Sequence, residues 1–198
     1  MFHQYSGVAK IFREYWLAYG GLRALLGSPY LHAAGLLLLL TQSLWLHAPW
    51  WRQSFFVLPS LLGFTLGGFA IFLGFGDAKF RAVLAEQEPE EAVNAYVGLC
   101  ATFVHFILVQ AIALIAAILA AAWWSEVAVT NGGAGGVTRG IHGMIGYGLF
   151  LYAIILTIAA AMHVFRIARI YATFVNADKN DTDECARCRE STARRGAP

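Results

Sequence analysis

Between Ser54 and Asp77 the chain reads SFFVLPSLLGFTLGGFAIFLGFGD, a run in which the last residue carries the only formal charge. Its small residues, Ser60, Gly63, Gly67, Ala70 and Gly74, recur in alternating steps of three and four. On a helix that spacing makes one continuous stripe, provided the helix supercoils left-handed with its neighbours. Leu61, Leu62, Phe64, Leu66, Phe69, Phe72 and Leu73 cover most of the remaining circumference. A helix apolar all round with one groove of small residues suits lipid on most sides and a close partner on one. The expectation is a membrane bundle organised around this helix. Gly63 and Gly67 then serve either packing inside one bundle or an interface between protomers.

The rest of the chain extends that expectation. Of its 198 residues 59% are hydrophobic and 13% charged, and the apolar residues fall in blocks too long for a soluble core. Spans are predicted at 30–47, 54–76, 96–124 and 141–166. The predicted fold is therefore all-α and integral to the membrane, a four-transmembrane-helix bundle over 29–175. Within it Ala113, Ala117 and Ala121 make a second small-residue ladder, and Gly143, Gly146, Ala153, Thr157 and Ala160 a third. Residues 1–28 read as an amphipathic interfacial segment, with Val8, Ile11, Phe12, Tyr15, Trp16, Tyr19 and Leu22 at helical spacing. Ser28 and Pro29 read as N-cap and first residue of the next helix. Residues 176–198 are polar and read as a disordered cytoplasmic tail. A cleavable signal peptide is not expected.

Orientation follows from the basic residues beside each span. Lys10, Arg13 and Arg23, then Lys79 and Arg81, then Arg166, Arg169 and Lys179 fall on one side, and only Arg52 and Arg139 on the other. The positive-inside rule places both termini and the loop near 77–95 in the cytoplasm. A formal charge of +2 offers no argument for nucleic acid. Composition suits a bacterial inner membrane, and the expected partners are the lipid bilayer, further copies of the chain and other membrane subunits.

Several motifs carry chemical possibilities. Gly74-Phe75-Gly76-Asp77-Ala78-Lys79 resembles the GxGDxK signature of the prepilin peptidases, and its GxGD core is shared with presenilin-like intramembrane proteases. The resemblance covers six residues and implies a catalytic aspartate at Asp77 that shares a proton with a second carboxylate. In that family the second aspartate lies on an earlier span, whereas Asp77 is the first aspartate here. The plainer alternative is a helix end at the membrane edge, where Gly76 unwinds the chain and Asp77 meets Lys79 or Arg81.

His47 and His142 fall near one membrane face, and His32 and His163 near the other. Such pairs can hold haem b between helices. Their separations, about 22 Å on the first span and about 32 Å on the fourth at 1.5 Å per residue, do not match. His105 lies about two turns inside its span and needs a partner, for which Gln110, Thr41, Gln42 or water are the candidates. Gln42, His105 and Gln110 are thus the intramembrane polar candidates. Cys185 and Cys188 form a CxxC that supplies two of the four ligands of a zinc site, so two reduced thiols and no metal are expected, the alternatives being a metal site shared across subunits or a redox dithiol.

These features favour a non-enzymatic, self-associating polytopic protein without a cofactor, acting as a pore, membrane effector or accessory subunit. The alternatives are a b-type haem redox protein and a GxGD-type aspartyl protease.

Overall fold

Glycine decides where the first helix stops. Gly20 and Gly21 take φ values of +98° and +63°, a left-handed backbone that other residues rarely adopt. In the computed structural model, which describes residues 2–74, 76, 78–86, 93–123 and 136–195, α1 (Phe2–Tyr19) and α2 (Gly21–Leu26) meet at this pair. Within the segment read as amphipathic over residues 1–28 there are therefore two helices. Ser28, extended at ψ 122°, then sits at the N-cap position with Pro29 behind it, although its side chain makes no capping hydrogen bond.

The next segment departs from the predicted continuous span at 30–47. It is split at Thr41 into α3 (Pro29–Leu40) and α4 (Gln42–His47). Thr41 leaves helical geometry at φ −105°, ψ 23°, and its hydroxyl donates back to the Leu37 carbonyl at 2.6 Å. The break frees carbonyls that an unbroken helix would have paired. One of them, on Leu38, accepts from the Trp45 indole Nε1 at 3.0 Å.

The long elements follow: α5 (Trp51–Gly74), α6 (Ala78–Ala85), α7 (Ala95–Trp123) and α8 (Gly136–Arg195). Among the described residues there are eight helices and no strand. Three stretches are long and apolar enough to cross a membrane: Trp51–Gly74, Ala95–Trp123 and Gly140–Asn180. At 12 residues α3 is apolar but shorter.

Helices α5, α7 and α8 pack against one another, α3 and α4 lie along α8, and α1 lies along α7. Close approach to α7 is possible because Ala113 and Ala117 are wholly buried, as is Ala153 on α8. Toward one end Phe69 and Phe72 of α5 stack on Phe103 of α7, each with centroids 5.6 Å away.

Gly76, at φ +81°, ends the α5 region and lets the chain turn into α6. A Cβ there would meet the Phe80 ring. Phe80 is buried against Tyr171 and Phe174 of α8 at 5.0 and 5.4 Å, and Lys79 pairs with Asp178. These contacts hold α8 beyond its apolar part. The segment from residue 176, expected to be disordered, instead continues α8 to Arg195. An existing helix propagates without a new nucleus, and Glu, Lys, Arg and Ala supply good propensity without Gly or Pro before residue 196.

Candidate functional site

The most elaborate polar arrangement inside the bundle centres on His105 of α7, which is only 4% exposed. Its Nδ1 lies 2.8 Å from the Tyr15 hydroxyl of α1, and its Nε2 lies 3.1 Å from the Tyr152 hydroxyl of α8. The Tyr19 ring stacks on the imidazole at 4.0 Å between centroids, with planes 18° apart. A neutral imidazole has one N–H, so one tyrosine donates to the ring and the other accepts from it, whichever nitrogen holds the proton. Tyr15 and Tyr19 sit four residues apart on one face of α1, so a single helical turn supplies both contacts. The network joins three helices through one side chain.

These partners correct the sequence reading. His105 bonds to neither Gln110 nor Thr41 nor Gln42. Gln110, wholly buried, donates from Nε2 to the Thr65 hydroxyl of α5 at 3.0 Å, and Thr65 donates onward to the Leu61 carbonyl at 2.8 Å. Gln42 is exposed on α4. The missed signal was Tyr152, a hydroxyl in the middle of a long apolar run. In such a run an aromatic polar tip needs an internal partner.

The network also divides α1. Tyr15, Trp16 and Tyr19 are half-buried, while Val8, Ile11, Phe12 and Leu22 from the same predicted face are exposed. Only the last turns of α1 dock. Burial, with Tyr19 adding to it, pushes the Tyr15 phenol up from its ordinary value of 10.0 to about 12. A raised acid pKa favours the docked, neutral form. Docking of α1 is therefore expected to hold fully below pH 10 and to weaken as the pH rises toward 12. Hydrogen exchange of the α1 amides across that window checks this, and Tyr15→Phe should blunt the dependence.

The stripe on α5 has a definite orientation. The face turned to α7 and α8 carries Trp51, Ser54, Leu58, Thr65 and Phe72, all buried. Ser60, Gly63, Gly67, Ala70 and Gly74 are all exposed on the opposite side, and a Cβ built on Gly63, Gly67 or Gly74 meets nothing within 4 Å. The α8 set behaves differently. A Cβ on Gly143 would lie 2.7 Å from the Trp45 carbonyl oxygen, and one on Gly146 would lie 2.3 Å from the Trp50 indole. Ala153 is wholly buried and Thr157 partly so. The α8 glycines thus admit α4 and Trp50, and the α5 stripe is left open on the protomer.

The remaining candidates are dispersed. Lys79 pairs with Asp178, and Arg81 is exposed. Asp77 lies outside the described residues, as do the side chains of Cys185 and Cys188. His32 and His47 are exposed on α3 and α4, His142 meets Trp123 edge-on at 6.2 Å and His163 meets Phe106 at 5.8 Å. Comparison with protein-family models, with curated proteins and with solved structures finds no match for this chain.

Proposed function

We propose that this chain is a polytopic protein of a bacterial inner membrane that self-associates through the open face of α5. It acts without catalysis, as a pore, effector or accessory subunit of a larger assembly. One observation carries the reading: the small-residue stripe of α5 points away from its own bundle, with open space over Gly63, Gly67 and Gly74. Helices in lipid gain little from burying apolar surface, because the tails are as apolar as leucine. They gain from close backbone approach, and an outward row of glycine and alanine offers that to a second copy.

In this reading the chain crosses the membrane four times. The fourth crossing is α3 and α4 together, whose 19 residues from 29 to 47 reach about 28 Å at 1.5 Å per residue. Thr41 returns its own hydrogen bond to the helix, and Trp45 caps a freed carbonyl, so the break is tolerable in hydrocarbon. Helix α1 lies at the interface, with exposed Val8, Ile11 and Phe12 dipping into lipid. The balance of Lys and Arg puts both termini and α6 in the cytoplasm.

Single cysteines at Gln53 and Glu86, in a background lacking Cys100, Cys185 and Cys188, test the arrangement. An impermeant thiol reagent should label Gln53→Cys from outside intact cells and Glu86→Cys only after lysis. Labelling of both from one side would contradict it.

A further inference from the structure

Around the end of the predicted 141–166 span α8 carries a feature that self-association does not use. Met162, Phe165, Arg166, Arg169, Ile170 and Thr173 line a groove of about 490 Å³ that is open to the outside. Both arginines are exposed, and no carboxylate among the described residues pairs with either guanidinium. Three residues apart on a helix, they have side chains on neighbouring positions of one face. Two guanidinium forks so placed can close on one phosphate with parallel hydrogen bonds. Toward the membrane-crossing part of α8 lie Met162 and Phe165, which are 54% and 59% exposed. Toward the other end lies the Thr173 hydroxyl, which donates to the Arg169 carbonyl at 3.1 Å and keeps its oxygen free to accept.

Along the helix, then, Met162 and Phe165 stand on the apolar side of the two arginines and the Thr173 hydroxyl on the other, with Ile170 beside Arg169. A glycerophospholipid presents its acyl chain, phosphate and headgroup in the same order of depth. We propose that this groove binds an anionic phospholipid, with Arg166 and Arg169 on its phosphate and an acyl chain against Met162 and Phe165. The inference rests on the reading of α8 as a membrane-crossing helix.

Reconstitution into phosphatidylcholine separates that reading from this one, because a chain that is not membrane-embedded will not float with neutral liposomes. On protein that does float, native mass spectrometry in detergent with added phosphatidylglycerol and phosphatidylcholine measures the site. At about fivefold per arginine near an anionic headgroup, retention of phosphatidylglycerol should exceed that of phosphatidylcholine roughly thirtyfold. The preference should vanish in the double variant Arg166→Gln, Arg169→Gln. It should fall severalfold when both become Lys, which keeps the charge and loses the fork. It should stay unchanged in Arg23→Gln, which removes a cation outside the groove. Glycerol phosphate, which lacks the acyl chains, should compete poorly on the unaltered protein, a measurement that does not depend on any variant folding. Equal retention of the two lipids would overturn the proposal. So would a double variant that keeps its preference, an Arg23→Gln that loses it equally, or glycerol phosphate competing as well as the intact lipid.

Discussion

Adding one methyl group at two glycines of this chain should change stability in opposite directions. At Gly67 the new Cβ meets nothing within 4 Å, so Gly67→Ala should raise protomer stability by up to about 1 kcal/mol through helix propensity alone. At Gly146 the same Cβ would sit 2.3 Å from the Trp50 ring, which is 4% exposed and edge-on to Tyr147 at 6.4 Å. A pocket of about 120 Å³ adjoins Trp50 and Gly146, but the buried ring must still leave its packing on Tyr147 to admit the methyl. Gly146→Ala should therefore cost about 1–3 kcal/mol, and Gly146→Leu should leave little folded protein. Thermal unfolding in detergent checks the sign, with each kcal/mol worth about 2–4 °C for a chain of this size. Association should respond in reverse. Gly67→Leu should hold a partner helix away and lower association by about ten- to a hundredfold, leaving a folded monomer.

Replacing His105 by Phe should release α1 without unfolding the bundle. Phenylalanine fills nearly the same space, so no large cavity opens, but the Tyr15 and Tyr152 hydroxyls lose their partner on the ring. Buried hydrogen bonds between membrane helices are worth about 1 kcal/mol each, so the loss should be about 2 kcal/mol. Only the Tyr15 bond ties α1 to the ring, so amide exchange in the last turns of α1 should rise roughly fivefold, while α5 and the Ala113–Ala117 part of α7 stay protected. In Tyr15→Phe the rise should be similar, and adding His105→Phe to it should cost less than the two separate losses combined, because the variants share one bond. Equal exchange in native protein and His105→Phe would mean that α1 is held by its aromatic packing alone.

What could be read in advance divides by physical cause. The boundaries of α5 and α7 were legible within a few residues, because a span's length is set by bilayer thickness and its ends by polar residues. Gly76 was recognisable as a helix end for a local reason, its left-handed backbone. The break at Thr41 was not legible, because a threonine inside an apolar run is compatible with helix. Only the Leu37 and Leu38 carbonyls, taken by Thr41 and Trp45, show where the turn opens. The continuation of α8 past residue 176 depended on Phe80 and Lys79, about a hundred residues away in the chain. The partners of His105 were hidden for the same reason, since they come from α1 and α8. Least legible was the direction of the small-residue stripes. Those on α5 and α8 have the same spacing, yet one receives Trp45 and Trp50 and the other faces outward. Spacing defines a stripe, and only the large residues opposite decide which stripe they fill.

Self-association through α5 is tested most directly by disulfide cross-linking in native membranes. The background is a chain lacking Cys100, Cys185 and Cys188, with single cysteines placed in turn at Ser60, Gly63, Gly67, Ala70 and Gly74, and at Ile112, which is 50% exposed on α7, as the comparison. Residues near a two-fold axis meet their own copies. The account predicts dimers that follow the stripe, strong at its centre and absent at Ile112. Cross-linking at Ile112 with none anywhere along the stripe, or none at any position in membranes, would contradict it.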